Sequence, residues 1–378
     1  MNNTLLAPDQ WAQSEFALAG LGDQRRTQRL VNGATSLAQS PGGTLPQAFP
    51  EWKDLKGAYR FFHQPKVGPE QIQTPHWERT RARCREPGEY LLVEETGGPP
   101  SGSQWIFIAD READFYEPIE RCQRHGVDFV IRGYRDRRLV DPAADYLKEA
   151  AARMPVRGRM EVELRARPGQ AARVATVEVR SGTVRARGPE RPGGDKPDFT
   201  VNVVEVSEVN APAGVEALHW LLLTSLPCVR WAEVRRIVTR YATRWWVEEY
   251  HKALKSGTKV EESQMERGYR IESLVAVLAI VAVRLLNAKW LARARADEAV
   301  DETVFGPSAL AILAARYGRP QGGWTHRSVL VAVARLGGFL ARRHDGLPGW
   351  ETIWRGWQRL IWMCQGLEIV KPKGKRCG

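Results

Sequence analysis

The segment from residue 105 to residue 132 constrains the fold more than any other part of this sequence. Residues 105–109 (WIFIA) have the pattern of a buried strand, residues 111–125 that of a helix closed by Gly126, and residues 128–132 (DFVIR) that of a second strand. A strand, a crossover helix and a second strand form a βαβ unit, in which the two strands are parallel. The sequence therefore predicts an α/β fold.

Asp110 stands directly after the first of these strands. In open parallel sheets, ligands collect beyond the carboxyl ends of the strands, which makes Asp110 a candidate site residue. An aspartate in front of a helix is also a common N-cap, because its carboxylate accepts a hydrogen bond from a backbone N–H of the first turn. The βαβ unit alone leaves these two interpretations equally open.

The composition is that of a folded protein with an excess of positive charge. The 378 residues suffice for two or three packed units, and 43% of them are hydrophobic, which excludes a disordered chain or a disulfide-built miniprotein. The net charge of +12 favours polyanionic partners such as nucleic acid, although many basic proteins bind none.

Nothing in the sequence predicts a membrane segment. The first residues lack the basic and apolar regions of a signal peptide. The apolar stretch Ser273–Leu286 is interrupted by Arg284 and is shorter than the roughly 18 residues that a membrane span requires. We therefore expect a cytoplasmic protein.

The cysteines and histidines do not predict a zinc site or a disulfide framework. The five cysteines are scattered without a C-x-x-C pair, and the seven histidines form no H-x-x-x-H pattern. Any metal ion in this chain would accordingly be a hard one, held by carboxylates.

The chain ends are predicted to be helical. In residues 1–75, Asp23 can cap a helix that carries Arg25 and Arg26, and such a basic helical unit suits contact with the DNA backbone, with a solvated basic face as the alternative. In residues 300–378, an apolar stripe predicts either core packing or a dimer contact, the former being favoured. The stripe consists of Trp350, Trp354, Trp357 and Ile361.

Residues 156–226 differ from both ends of the chain. Four segments of alternating polar and apolar residues are separated there by clusters of glycine and proline, which predicts an antiparallel β region. Its position indicates an insertion between the βαβ unit and the helices that follow.

The segment 231–255 carries the most specific pattern in the chain. If it is one helix with about 100° per residue, Tyr241, Arg244, Glu248 and Lys255 lie within one narrow arc, opposite an apolar face. The simpler interpretation is a polar helix surface in which Arg244 pairs with Glu248 four residues later.

This spacing, Y-x2-R-x3-E-x6-K, resembles the signature of the cut-and-paste transposases of the insertion-sequence-four type, the family of the transposon-five transposase. Further blocks resemble those of the family and occur in its order along nearly the whole chain. They are residues 21–31 (LGDQRRTQRLV), 57–61 (GAYRF), 110–114 (DREAD), 219–225 (HWLLLTS), 281–286 (VAVRLL) and 334–339 (ARLGGF).

The resemblance implies an α/β fold with a ribonuclease-H-like catalytic core in residues 76–299, which includes the β insertion 156–226. It further implies a helical N-terminal DNA-binding domain in residues 1–75 and a helical dimerisation domain in residues 300–378. In this family, three carboxylates hold two Mg²⁺ ions, for which Mn²⁺ can substitute, and cleave phosphodiester bonds by in-line displacement. Asp110 matches the second carboxylate and Glu248 the third.

The resemblance also implies a partner and its contacts. The partner is double-stranded DNA carrying the ends of the element, bound by a homodimer. Tyr241, Arg244 and Lys255 would contact phosphates near the cleaved end, and Trp220 would stack on a flipped base, with a core tryptophan as a nearly equal alternative. Arg132, at the end of its strand, is a further candidate DNA contact.

Two features depart from the family pattern. Glu95 stands where the first carboxylate, an aspartate, is expected, and only residues 96–109 separate it from Asp110. The family places two more strands and a helix in this interval, which cannot fit in so few residues. We therefore expect an internal deletion in the catalytic core.

The predicted function is DNA transposition by metal-dependent cleavage and strand transfer. The shortened core leaves three possibilities open: an active enzyme with a trimmed core, a transposase impaired by the deletion, and a DNA-binding or dimerising protein that inhibits the full-length enzyme.

Overall fold

A computed structural model of the protein describes residues 8–86, 88–92, 102–140, 144–165, 172–192, 194–300, 307–343 and 345–370. The chain divides into two compact units, one of residues 1–80 with 248–378 and one of residues 81–247. This division differs from the three predicted domains. The two helical end segments share one unit, and residues 248–299 belong with them instead of with the sheet.

The helices are numbered here in chain order. Among the described residues, the α-helices are α1 Pro8–Phe16, α2 Gln24–Gln39, α3 Leu45–Ala48, α4 Trp52–Phe62, α5 Pro69–Arg83, α6 Tyr116–His125, α7 Leu147–Arg153, α8 Trp231–Ala242, α9 Trp246–Lys252, α10 Gly268–Ala294, α11 Pro307–Tyr317, α12 His326–Leu336 and α13 Trp350–Val370.

The unit of residues 81–247 is built on one mixed sheet, which has seven strands in the described residues. Their order across the sheet is β1-β2-β3-β7-β6-β5-β4. The strands β1, β2 and β3 are parallel, and every other neighbouring pair is antiparallel. The strands are β1 Gly88–Leu92, β2 Ser103–Ala109, β3 Asp128–Arg132, β4 Val156–Leu164, β5 Arg173–Ala186, β6 Phe199–Glu208 and β7 His219–Thr224.

The predicted βαβ unit is confirmed. The strands β2 and β3 pair in parallel, with Ile106 opposite Asp128, and α6 connects them. The helix ends at Gly126, whose φ of 66° lies in the left-handed region that favours glycine. The local sequence therefore determines both strands, the crossover helix and its stop.

The predicted antiparallel region is confirmed as strands, but it is not a separate insertion. The strand β7 pairs with β3 in antiparallel fashion, with Val130 opposite Thr224, so that β4 to β7 continue the same sheet. The pairing satisfies backbone hydrogen bonds of both strands, and it lets the apolar side chains of β3 and β7 share the cores on the two faces of the sheet. Long-range pairing of this kind leaves no local pattern in the sequence.

Both faces of the sheet are covered, as the alternation along the strands requires. On β3, Phe129 and Ile131 face the core that includes α6 and α7, whereas Val130 faces the core that includes α8. On β7, Leu223 and Leu222 divide between the two faces in the same way. Successive side chains of a strand point to opposite faces, so apolar residues in both phases indicate a sheet that is buried on both sides.

The unit of residues 1–80 with 248–378 is organised around α10. This helix contacts α2 and α4 from the start of the chain and α12 from its end. The predicted stripe of α13 packs into the core: Trp350, Trp354 and Trp357 are buried, and Ile361 is partly buried. Packing in the core is thus the observed use of the stripe.

By length and composition alone, α10 could cross a membrane, contrary to the expectation from the shorter apolar stretch. However, 61% of its apolar window is buried inside this unit, which is the property of a core helix. Its Arg284 lies 4.7 Å from the ring centre of Trp11, a cation–π distance, and burial lowers the pKa of Arg284 to about 9. The guanidinium therefore keeps its charge at neutral pH within the core.

The helices α12 and α13 approach each other at two glycines. A methyl group on Gly356 would lie 1.8 Å from the carbonyl oxygen of Val333, and one on Gly337 would lie 1.9 Å from that of Thr352. Such distances are possible only without a side chain, because the obstacles are backbone atoms that no rotamer change can move.

We expect Gly356→Ala to lower the free energy of unfolding by roughly 1–3 kcal/mol, because the methyl group forces α12 and α13 apart. The matched control is Gly366→Ala on the same helix, where a methyl group meets nothing within 4 Å. That substitution should be neutral or should stabilise by about 0.5–1 kcal/mol, since alanine favours the helix. Thermal melting of both variants tests this, and equal melting temperatures would contradict the close approach.

Candidate active site and DNA-contact residues

Asp110 lies at the carboxyl end of β2 and acts as an N-cap, while its role as a site residue stays a prediction. One carboxylate oxygen, Oδ1, accepts a hydrogen bond of 3.0 Å from the backbone N–H of Glu112 and so caps the 3₁₀ turn Arg111–Ala113. The other oxygen, Oδ2, lies 3.5 Å from Nη1 of Arg244. The side chain is still 39% exposed, so the cap does not withdraw it from solvent.

The sheet topology explains which residues surround Asp110. The strands β2 and β3 are parallel and end at the same edge, where β3 contributes Arg132. The strand β7 is antiparallel to β3 and therefore begins at this edge, with His219 and Trp220. The guanidinium of Arg132 donates a hydrogen bond of 3.1 Å to the carbonyl oxygen of His219, which ties the two strand ends together.

Tyr241 is the buried member of this group. Its ring meets that of Trp220 edge to face, with 5.0 Å between the ring centres. Burial raises the pKa of the Tyr241 phenol, and the positive charges of Arg132 and Arg244 oppose this rise. Both guanidinium groups are therefore close enough to act on the hydroxyl.

Five predicted site residues are thus brought together in the unit of residues 81–247. We refer to Asp110, Arg132, Trp220, Tyr241 and Arg244 as the Asp110 cluster. It combines one partly exposed carboxylate with two guanidinium groups, a phenol and an indole ring.

The predicted single helix over residues 231–255 is wrong. The structure has α8, a 3₁₀ turn at Thr243–Trp245, α9, and a π-helical turn at Ala253–Gly257. At the first break, the hydroxyl of Thr243 donates to the carbonyl oxygen of Arg240 at 2.7 Å, a side-chain bond that competes with the helix backbone. A 3₁₀ turn has 3.0 residues per turn, so the assumed arc of about 100° per residue does not continue through it.

Glu248 and Lys255 lie in the unit of residues 1–80 with 248–378, not in the unit of the Asp110 cluster. Glu248 is exposed on α9, and Nζ of the exposed Lys255 lies 3.2 Å from Oε1 of Glu261. The pairing of Arg244 with Glu248 stays a prediction.

The helix that carries Glu248 is fixed by its neighbour in the sequence. Oε2 of the buried Glu249 accepts hydrogen bonds from Nζ of Lys289 at 2.5 Å and from Nε1 of Trp350 at 2.8 Å. Because these partners lie on α10 and α13, the carboxylate joins three helices. The sequence reasoning missed Glu249, whose only signal is its place beside Glu248.

Glu95, the predicted first carboxylate, lies outside the described residues. Within the described part of the chain, no group of three or more His, Cys, Asp and Glu side chains is arranged to hold a metal ion. The three-carboxylate site consequently stays a prediction.

Arg25 and Arg26 occupy the first turn of α2 and differ in their surroundings. Asp23 caps this helix as predicted, since its Oδ1 accepts a hydrogen bond of 2.9 Å from the backbone N–H of Arg25. The side chain of Arg25 is exposed, whereas Nη1 of Arg26 donates to the carbonyl oxygen of Leu21 at 3.1 Å. Of the two, Arg25 presents its charge to solvent.

The raised pKa of Tyr241 gives a pH-dependent expectation. Because the folded protein holds the phenol proton more tightly than the unfolded chain, the corresponding stability is complete below the ordinary pKa of about 10 and is lost as the pH rises further. We expect Tyr241→Phe to show a smaller loss of melting temperature between about pH 9 and pH 11 than the wild type. Tyr59→Phe, at an exposed tyrosine, should behave like the wild type.

Two family comparisons match this chain. Residues 8–67 match the family described as transposase DNA-binding, a range that contains α1 to α4 with Arg25 and Arg26. Residues 104–284 match the family described as transposase DDE domain, a range that contains the Asp110 cluster together with Glu248 and Lys255. The chain therefore carries a transposase DNA-binding domain followed by a transposase DDE domain.

Proposed function

We propose that this protein is a cut-and-paste transposase of the insertion-sequence-four type. It binds the ends of its own element as double-stranded DNA, cleaves phosphodiester bonds there and transfers the strands to a target. The observation that carries this proposal is the Asp110 cluster, in which the sheet topology gathers a carboxylate and phosphate-binding groups at one edge.

Each residue of the Asp110 cluster has a role in DNA binding that follows from its side-chain chemistry. Arg132 and Arg244 bring positive charge and directional donors, which suit the oxygens of a phosphate. Tyr241 stays protonated at neutral pH because its pKa is raised, so its hydroxyl can donate a hydrogen bond. Trp220 offers an aromatic ring beside them, suited to a base that has left its stack.

Asp110 fits the divalent metal ions that DDE domains use. Its carboxylate supplies hard oxygen ligands of the kind that Mg²⁺ prefers, and it is partly exposed at a strand end. When bound, Mg²⁺ or Mn²⁺ would activate the attacking oxygen and stabilise the leaving oxygen of an in-line displacement. In this proposal Glu95 and Glu248 complete the carboxylate set, and Glu249 fixes the helix that presents Glu248.

Arg244 can exchange its contact with Asp110 for a contact with a DNA phosphate. Its Nη1 lies 3.5 Å from Asp110 Oδ2, at the limit of a hydrogen bond, so the pairing is weak. A phosphate oxygen that enters the cluster competes for this guanidinium and leaves Asp110 with fewer partners. Binding of the scissile phosphate therefore prepares the carboxylate for its role as a ligand.

We further propose a shortened ribonuclease-H-like core. In support, β1 pairs directly with β2 in parallel register, from Gly88 opposite Ser103 to Leu92 opposite Phe107. The strand expected to carry the first carboxylate thus stands beside the strand of Asp110 with only residues 93–102 between them. This spacing is consistent with an internal deletion that removed strands without separating the two carboxylate positions in the sheet.

A homodimer in the DNA complex and a cytoplasmic location complete the proposal. The apolar stripe of α13 is used in the core, but Trp362, Met363 and Leu367 on the same helix are exposed. Apolar side chains of this size on one helix suit contact with a second copy of the chain.

We expect Asp110→Asn and Glu248→Gln each to reduce cleavage of a labelled duplex carrying the terminal repeats by at least about 100-fold, in Mg²⁺ or Mn²⁺. Glu216→Gln, at an exposed glutamate before β7, is the control and should cleave like the wild type. Cleavage that persists in the first two variants would mean a different active site. No cleavage by the wild type, with DNA binding intact, would identify a transposase that has lost its chemistry.

We expect end binding to depend on the N-terminal helices. Arg25→Gln removes an exposed charge from α2 and should reduce the slope of log K against log salt by about 0.9, the value for one phosphate contact. Arg316→Gln removes the same charge on α11, outside both matched ranges, and should leave the slope unchanged. Fluorescence anisotropy with the terminal-repeat duplex measures both, and equal slopes would contradict the predicted DNA contact.

A further inference from the structure

A second aspartate, Asp114, fixes the loop that follows β3. Its side chain is fully buried, and its Oδ2 accepts hydrogen bonds from the backbone N–H groups of Tyr134 at 2.6 Å and Arg135 at 2.7 Å. Its Oδ1 accepts a further bond from Nη1 of Arg137. Three donors thus compensate the burial of this carboxylate.

The same loop is held at both of its ends. At the start, the N–H of Gly133 donates to the carbonyl oxygen of Leu221 at 2.6 Å, which ties the loop to β7. Toward the end, Oδ1 of Asp136 accepts a bond of 2.9 Å from the N–H of Lys148 in α7. The backbone of residues 133–137 is therefore set before any ligand arrives.

The side chains at the tip of this loop point away from these anchors. Tyr134 is 64% exposed, and Arg135 is exposed as well. The guanidinium of Arg111, the residue after Asp110, lies 5.9 Å from the ring centre of Tyr134, at the outer limit of a cation–π contact. The tip thus presents an aromatic ring near Arg111 and, as the next residue in the chain, an exposed arginine.

The loop lies at the sheet edge of the Asp110 cluster. It begins directly after Arg132, a member of the cluster, and the turn that Asp110 caps contacts β3. The tip therefore follows Arg132 within two or three residues, at the same edge of the sheet.

We propose that Tyr134 and Arg135 contact the DNA strand that enters the Asp110 cluster, Arg135 through a phosphate and Tyr134 through the face of a base. Asp114 acts as the positioning residue that holds both. This inference rests on the proposed function and adds a contact surface to it.

The energetic argument is one of preorganisation. An exposed loop normally loses conformational entropy when it binds, and this loss weakens binding. Here the buried carboxylate has already fixed the backbone, so only the two side chains become ordered.

The first test is a salt titration with the full chain and the terminal-repeat duplex. We expect Arg135→Gln to weaken binding roughly 5- to 10-fold near 0.1 M salt and to reduce the salt slope by about 0.9. Tyr134→Ala should weaken binding with no change in slope, because a stacking contact releases no counterion. Arg316→Gln is the control for the loss of one charge.

The second test concerns position and the role of Asp114. With 5-iodouracil placed next to the cleaved bond, irradiation should cross-link the wild type at Tyr134, and Tyr134→Ala should lose this product. Asp114→Asn should weaken binding in the wild-type background but should change nothing further when Tyr134→Ala and Arg135→Gln are both present. A purely structural role would weaken binding equally in the two backgrounds.

The outcomes separate this inference from the proposed function. In one outcome, the wild type binds the terminal repeats and Arg25→Gln weakens that binding, but Arg135→Gln keeps the full salt slope and no cross-link forms at Tyr134. The loop contact is then wrong and the transposase proposal stands. If the wild type never binds its terminal repeats more tightly than a random duplex, the loop contact and the transposase proposal are both wrong. The tip variants change exposed side chains only, so the test holds even if Asp114→Asn fails to fold.

Discussion

The antiparallel pairing of β3 with β7 is the interaction on which the sheet unit depends. It joins the three parallel strands to the four antiparallel ones, and it is reinforced by the hydroxyl of Thr224, which donates to the carbonyl oxygen of Phe129 at 2.6 Å. Because β7 runs against β3, its first residues arrive at the edge where β2 and β3 end. Trp220 therefore stands beside Asp110 and Arg132 as a consequence of topology alone, and α8 adds Tyr241 to the same edge by packing on the sheet.

Two aspartates four residues apart show how the fold leaves one carboxylate partly exposed and encloses another. Asp110 keeps 39% of its side chain exposed, and its partners within the described residues are the backbone N–H that it caps and a guanidinium 3.5 Å away. Asp114 is fully enclosed, and three donors bind its two oxygens. The first carboxylate is open to an incoming ligand, whereas burial closes the second to ligands, and it instead fixes the loop after β3. Asp114 therefore anchors the loop after β3 only four residues from Asp110 in the sequence.

The sequence predicted the parts of this architecture that depend on local patterns. The strands around Asp110, the crossover helix, its stop at Gly126 and the cap by Asp23 follow from alternation, helix period and terminal residues. The continuity of the sheet through β7 and the shared unit of the two chain ends were missed, since both arise from contacts between distant segments. The break after Ala242 was missed because a threonine bonded to a carbonyl three residues earlier is compatible with a helix pattern. Asp114 is the last residue of the block 110–114 (DREAD), but its burial and its partners depend on the loop after β3.

The packing of α2 and α4 against α10 sets the order of events while the protein is being synthesised. About 200 residues separate the end of α4 from the start of α10. At roughly 5–20 residues per second, a ribosome needs about 10–40 s to cover that interval. Throughout this time the apolar faces of the N-terminal helices lack the helix that buries them, although the sheet between them in the sequence can already form. We therefore expect the DNA-binding segment to reach its final packing only after α10 has left the ribosome.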